Sequence, residues 1–481
     1  MSNCSEVPFV HLFETYKGKY IFDINSNAIF KVPGYVYNDL KKYLQTGKIT
    51  YGNEKSQAII EKLINNGLLS SHRWQRIEHP GIPLIPYYLN TSVSTITLQV
   101  TQACNLQCRY CPYAGSFYNR KHSPKKMKFE VGKAAIDFYV RHSVDEECLN
   151  IGFYGGEPLI EFELIKKLVE YVSSNYKGKK VQYHMTSNAT LLKDEMIPFL
   201  EQNSFNLLVS LDGPKEIHDK NRIQQNNKGS FELIMENLKR VHKNYPDFAR
   251  KIRFNCVIDP SSNFDCIHEF FTNYPEVRDY YTSFSYISKQ NIIEDTFKPT
   301  EEYTARYRYE VFKLFLFLMK RISEEHVSKI VKSYYNFLFT TVKDRRTISF
   351  AHTDYGHHSG PCITGNHKIF VDTEGNFFPC EKVNENSDSF KIGSIYDGFD
   401  YERAIYLTNI GKLTEAQCLS CWNVNFCSLC CLFAENNGEI SAKAKLSNCN
   451  GTKCDTEELF KDFCFLEEVD FYGDEQVFKL M

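Results

Sequence analysis

An α/β fold built from parallel βα units is the architecture this sequence predicts, and three observations carry it. Strand-like and helix-like patterns alternate from Thr91 onward, which is the signature of parallel crossover units. Several of the strands end in glycines, short polar residues or thiols, at the strand ends where such folds carry their active sites. A chain of 481 residues is long enough to bury a sizeable core and suggests roughly three domains. The expected strands are 95–100, 149–154, 181–186, 206–211, 251–258 and 282–287, with helices such as 129–142 and 230–245 between them.

The chain opens on Met1-Ser-Asn-Cys-Ser-Glu-Val-Pro, which lacks the basic region and apolar stretch of a signal peptide, so a cytoplasmic location is expected. Charge is nearly balanced, 57 basic against 59 acidic residues, and marks neither a nucleic-acid nor a membrane partner. The most apolar segment, 311–319, is interrupted by Lys313 and is far too short to span a bilayer. Seventeen cysteines in a reducing compartment point to metal or redox chemistry rather than to disulfides.

Residues 8–71 read as a small independent unit. Two strand-like runs flank an Asn25-Ser26-Asn27 turn, a hairpin signal, and helical patterns follow at 34–44 and 53–67, the second with Ala58, Ile59, Leu63 and Ile64 on one face. This order resembles the winged-helix peptide-recognition elements, which bind a leader segment by adding it as a strand to a sheet edge. Residues 72–90, with Pro80, Pro83 and Pro86, are expected to be a linker.

The first strand of the alternating region delivers Cys104-Asn-Leu-Gln-Cys108-Arg-Tyr-Cys111. Three thiolates within one short loop suit an iron–sulfur cluster, and no histidine or fourth cysteine follows at zinc or ferredoxin spacing. A 4Fe–4S cube held by three cysteines leaves one iron open to a small chelating molecule. On this CxxxCxxC run the chain resembles radical S-adenosylmethionine (SAM) enzymes, in which that iron chelates the amino and carboxylate groups of SAM. The six βα units then imply a partial (β/α)6 radical SAM barrel.

The same resemblance extends along the later strand ends. Gly155, Gly156 and Glu157 form the Gly-Gly-Glu-Pro segment that holds the SAM amino group in this family; glycines let backbone approach a ligand closely. Ser187 and Asn188 fall where the family contacts the ribose. In Ser210-Leu-Asp-Gly-Pro-Lys-Glu-Ile-His-Asp-Lys-Asn-Arg222, which resembles sulfatase-maturating and peptide-modifying members, Ser210 would contact SAM and Arg222 would pair with its carboxylate, while Asp212 and His218 organise the turn. Asn255 and Val257 share one face of the next strand and are placed near the adenosine; Cys256 and Cys266 read as core. The segment 289–349 is expected to be a helical bridge with Tyr309, Phe312, Leu316 and Met319 on one stripe.

A last block carries Cys362, Gly375-Asn-Phe-Phe-Pro-Cys380, Cys418-xx-Cys421-xxxxx-Cys427-xxx-Cys431 and Cys449. This resembles the seven-cysteine SPASM pattern of radical SAM enzymes that act on peptides and proteins. The resemblance implies two auxiliary 4Fe–4S clusters, one on Cys418, Cys421, Cys427 and Cys449 and the other on Cys362, Cys380 and Cys431. Sulfatase-maturating enzymes complete the second with another cysteine shortly after the first, where this chain has none, and an iron free for a substrate thiolate is expected. Cys430, Cys454 and Cys464 stay ambiguous between ligand and ordinary thiol. Glu381 stands where the sulfatase pattern has a basic aspartate, and is the candidate proton acceptor.

Four regions are therefore expected: 1–80 for leader recognition, 91–300 for the barrel, 301–355 as a helical bridge and 356–481 as the SPASM iron–sulfur domain. The resemblance implies an enzyme that modifies a ribosomally made precursor peptide with SAM, three clusters and an external electron donor such as flavodoxin or ferredoxin. Thioether cross-linking, as in the SCIFF or ranthipeptide maturases, is the leading expectation. Carbon–carbon or ether cross-linking and sulfatase-type formylglycine formation are the alternatives within the class. A protein whose clusters only sense redox state is the alternative outside it, and it would have no use for a SAM cradle.

Overall fold

A computed structural model describes residues 7–469, apart from 115, 116, 118, 119, 289, 295, 340 and 343–347. Residues 1–6, read for a targeting signal, and parts of the 301–355 and 356–481 segments lie outside the described residues. Among the described residues no helix is long and apolar enough to cross a membrane.

Strands β1 (Val10–Glu14), β2 (Lys19–Asp23) and β3 (Ala28–Val32) form an antiparallel sheet, with β2 and β3 making the expected hairpin and β1 added to it. Helices Gly34–Thr46 and Glu54–Asn65 follow. Asn53 caps the second helix by accepting from the Ser56 amide, and the Asp39 carboxylate joins the two by accepting from Ser56 Oγ at 2.6 Å and the Gly52 amide at 2.8 Å. The buried face of the second helix centres on Ser56 and Ile60, with Ile59 and Leu63 at its margin, whereas Ala58 and Ile64 are exposed. The expected face was thus rotated, because adjacent isoleucines at 59 and 60 fit two overlapping stripes.

The amino-terminal unit is not independent. Phe9, Phe13, Tyr20 and Phe22 share a core with Leu314 and Phe315 and with Phe460 and Phe463 of the long helix Cys449–Glu468. Nor is 72–90 a bare linker: β4 (Arg76–Ile77) pairs in parallel with β11 (Tyr355–Gly356), and helix Ile85–Thr91 buries Ile85 and Leu89 against Ala404. Pro83 and Pro86 fall in helical first turns, where their missing amide costs nothing.

In the middle of the chain β5 (Thr95–Thr101), β6 (Cys148–Gly155), β7 (Lys180–Ser187), β8 (Asn206–Ser210), β9 (Arg253–Ile258) and β10 (Thr282–Tyr286) run parallel, each beside the next in sequence. Along β5 the period of two puts Ile96, Leu98 and Val100 on one face and Thr97, Gln99 and Thr101 on the other. The apolar face packs under Ile136, Tyr139, Ile165 and Leu168 of the covering helices. Beyond β5 the same sheet continues through β12 (Ile369–Val371), β13 (Asn376–Phe378), β14 (Gly393–Ser394) and β15 (Gly398–Phe399), so the cysteine-rich block extends the central sheet.

In the connecting region, helices Glu301–Leu318 and Lys329–Phe339 are present. The expected apolar stripe is corrected: Tyr309 and Phe312 are exposed, and the buried positions are Tyr303, Glu310, Leu314, Phe315 and Leu318. Buried Glu310 shows why hydropathy misled, since Lys313 and the Ser328 amide satisfy its carboxylate. Cys256 is buried as expected, but Cys266 is exposed.

Candidate functional site

One cavity of about 710 Å³ opens at the carboxyl ends of β5 to β10. The loop after β5 brings Cys104, Cys108 and Cys111 to its wall. The turn after β6 adds Gly155, Gly156 and Glu157, and Ser187, Asn188, Ser210, Arg222, Asn255 and Val257 come from the following strands and loops. Glu381, Lys382, Leu432 and Phe433, which directly follow Cys380 and Cys431, line the same cavity.

The glycines are there for proximity. The Gly156 amide donates to the Thr101 carbonyl at 2.9 Å and the Glu157 amide to the Ala103 carbonyl at 2.9 Å. A Cβ at Gly155 would strike the Thr101 carbonyl, and one at Gly156 the Ala103 carbonyl and the Cys104 amide nitrogen; Gly155 also sits at φ +143°. The cysteine loop is thereby pinned to the end of β6.

The Glu157 carboxylate is buried and accepts from Ser187 Oγ at 2.7 Å, the Asn188 amide at 2.8 Å and the Leu159 amide at 3.1 Å. Burial raises its pKa, and these donors oppose the rise. Asn188 Nδ2 donates to Asn105 Oδ1 at 2.9 Å, and Asn105 Nδ2 donates to Thr190 Oγ1 at 2.7 Å, which ties the strand end back to the cysteine loop.

Arg222 is buried beside Cys108, with Nε donating to Asp212 Oδ2 at 2.9 Å and Nη1 at 4.0 Å from the Cys108 sulfur. Asp212 also accepts from Tyr110 Oη and from the Val257 amide. His218 accepts the Asp212 amide at Nδ1 and contacts Ser230 Oγ through Nε2 at 3.0 Å; the Ser230 hydroxyl donates to the Arg222 carbonyl. Nε2 therefore carries the proton, and burial lowers the His218 pKa to about 4.

The three loop thiols suit a cluster. Burial holds Cys104, Cys108 and Cys111 above the ordinary thiol range, and Cys108 is pushed to about 12. An unpaired buried thiolate is costly, whereas a thiolate neutralised by iron and faced by Arg222 is not. Among the described residues no group of three or more His, Cys, Asp or Glu side chains is placed to hold a single metal ion.

The carboxy-terminal thiols fall into two groups. Cys421 lies within electrostatic reach of Cys418 and Cys449, and Cys427 within reach of Cys418 and Cys421. Beside them the buried Lys445 ammonium bonds Thr414 Oγ1 at 2.7 Å and reaches the Cys418 sulfur at 3.8 Å, a buried cation that suits an anionic cluster. The second group holds Cys362, Cys380 and Cys431, and also Cys430.

Sequence reasoning left Cys430 ambiguous and missed four contributors, Gln99, Tyr113, Arg120 and Glu385. Gln99 Nε2 donates to Tyr113 Oη at 3.0 Å, and Tyr113 Oη donates to Glu385 at 2.5 Å. Arg120 Nε stands 2.9 Å from Glu385 Oε2, an ion pair without hydrogen-bond alignment, and its Nη1 donates to the Glu381 carbonyl at 3.0 Å. The Glu381 carboxylate is paired with Lys368 at 3.1 Å. Tyr113 follows the cysteine motif closely enough to be found; Arg120 and Glu385 belong to no recognisable run.

Residues 98–272 match the family described as the radical SAM superfamily. A cysteine-type anaerobic sulfatase-maturating enzyme of Clostridium novyi is 24% identical over 361 residues, 70% of this chain and 87% of that protein. An uncharacterized protein of Methanocaldococcus jannaschii is 37% identical over 135 residues, which is 28% of this chain and 44% of that protein. Among solved structures, native anSMEcpe with bound AdoMet superposes with a TM-score of 0.58 at 19% identity, covering 79% of this chain and 100% of that one, and so shares the fold. The chain carries a radical SAM domain and is a radical SAM enzyme homologous to the anaerobic sulfatase-maturating enzymes.

Proposed function

We propose that this enzyme cross-links a ribosomally synthesised precursor peptide through thioether bonds from cysteine sulfur to carbon. The observation that carries this reading is that one cavity is lined both by the 104–111 cysteine loop and by residues next to Cys380 and Cys431. A peptide held there faces both the 104–111 cysteine loop and the residues that directly follow Cys380 and Cys431.

When bound, SAM and the three 4Fe–4S clusters supply a 5′-deoxyadenosyl radical and an acceptor for the electron released on bond formation. Cys104, Cys108 and Cys111 would hold the first cluster, with Gly155, Gly156, Glu157, Ser187, Asn188, Ser210, Arg222 and Val257 around SAM. Cys418, Cys421, Cys427 and Cys449 would hold one auxiliary cluster, and Cys362, Cys380 and Cys431 the other. Glu381 takes up the proton of the substrate thiol, its carboxylate held on the cavity wall by Lys368. Each link removes two hydrogens, one as an atom from carbon and one as that proton with its electron. The reductant is a small external electron carrier. The leader is taken up by the amino-terminal unit, a reading supported by β3, which among the described residues pairs only with β2 and leaves its other edge open.

The sulfatase-type reading is favoured by the relatives of that kind, and one measurement separates the two. The full chain is incubated with SAM, a strong reductant and the short peptide encoded beside its gene, and the product is alkylated with iodoacetamide and weighed. A product two hydrogens lighter per link with its cysteine no longer alkylable is expected. A product whose cysteines all remain alkylable overturns the thioether in favour of a carbon–carbon or ether link, and conversion of cysteine to formylglycine selects the sulfatase-type reaction.

A further inference from the structure

The auxiliary group at Cys362, Cys380 and Cys431 contains a fourth thiol. Cys430 interacts directly with the neighbouring Cys431 thiol and is an electrostatic neighbour of both Cys362 and Cys380. Consecutive residues of an extended strand point to opposite faces, but this pair does not continue a strand. Cys430 is extended, at φ −111° and ψ −172°, and Cys431 opens the short helix Cys431–Ala434, so the chain turns between them and both thiols meet the same neighbours.

Backbone packing brings Cys362 to that place independently. Gly360 lies against the Ser428 and Leu429 backbone so closely that a Cβ would strike it. His358 donates through Nε2 to the Leu429 carbonyl at 2.7 Å, and Ser359 Oγ donates to the Cys427 carbonyl at 3.3 Å. The segment leading to Cys362 is thus laid along the segment leading to Cys430.

We propose that Cys430 is the fourth protein ligand of the auxiliary 4Fe–4S cluster held by Cys362, Cys380 and Cys431. The inference rests on the assignment of a cluster to those three residues and changes one consequence of it. Four thiolates for four irons leave no empty position for substrate sulfur. The cluster is then an electron acceptor, and the substrate thiol is placed by the cavity wall.

The test uses the full chain, reconstituted anaerobically with Cys104, Cys108 and Cys111 replaced by alanine, so that only the auxiliary clusters remain. The probe for an iron without a protein ligand is 2-mercaptoethanol, read by the EPR spectrum of the reduced clusters. With Cys430 present the spectrum is expected to be unchanged by the thiol; with Cys430→Ala it is expected to shift. A second measurement needs no substitution at 430: in iron-loaded protein iodoacetamide should modify exposed Cys266 but not Cys430, and after iron removal by a chelator it should modify both. A thiol-dependent shift with Cys430 present, or Cys430 alkylated as fast as Cys266 at full iron loading, overturns the proposal. Absence of any auxiliary cluster signal overturns it together with the assignment on which it rests.

Discussion

His218 shows how a residue with no place on the cavity wall governs one that has. It is fully buried and uncharged, and through the Asp212 amide and Ser230 it fixes both ends of the segment that carries Arg222. Its ordinary pKa is about 6.5, whereas burial holds it at about 4 in the fold, with Asp212, Arg222, Asp219 and Lys215 as the charges that face it. Between those values the unfolded chain binds a proton that the folded chain does not, so stability is complete above the higher value and falls as the pH drops toward the lower. The loss amounts to ~3 kcal/mol across the window. His218→Gln keeps a donor and an acceptor but cannot be protonated, and urea unfolding between pH 7 and pH 4 should show a flatter acid limb than the unsubstituted chain by about that amount. Equal slopes would remove His218 from the acid sensitivity.

At the scale of elements, the decisive piece is the helix Cys449–Glu468. Phe460 is fully buried, with ring centroids 5.8 Å from Phe13, 4.9 Å from Phe22 and 4.9 Å from Phe426. One side chain therefore joins the first strands, the cysteine-rich block and the last helix. Phe460→Ala is expected to cost ~3–5 kcal/mol, the usual penalty for emptying an aromatic site in a core. Hydrogen exchange should show β1 and β2 losing protection before β5 to β9, because the central core does not include Phe460. Uniform loss of protection over all strands would mean that the chain unfolds as one unit.

For the whole molecule, the cavity is lined by regions far apart in sequence, the 104–111 cysteine loop and residues 381–382 and 432–433 of the cysteine-rich block. The 104–111 loop is held by the β6 glycines, and Cys380 follows β13, whose partner β12 pairs with β5. Replacing Cys104, Cys108 and Cys111 together with alanine should abolish formation of 5′-deoxyadenosine from SAM while iron analysis still finds the auxiliary clusters. Undiminished cleavage, or no iron at all, would break the division of labour proposed for the two regions.

The local signals came from the sequence alone. The period of two in β5 to β9, the thiol spacing from Cys104 to Cys111 and the paired glycines at 155 and 156 are short-range patterns, so the parallel units and a thiol loop at the strand ends were legible there. Helix faces were less so: Ile59 beside Ile60, and the apolar run around Phe312, fit more than one stripe, and only the partner surface chooses between them. The joining of β12 to β5, the packing of Phe460 on Phe22, the Arg120–Glu385 pair and the place of Cys430 beside Cys362 were decided by tertiary structure. Each depends on segments brought together from distant parts of the chain, or on a turn between adjacent residues, and neither leaves a period or a spacing to read.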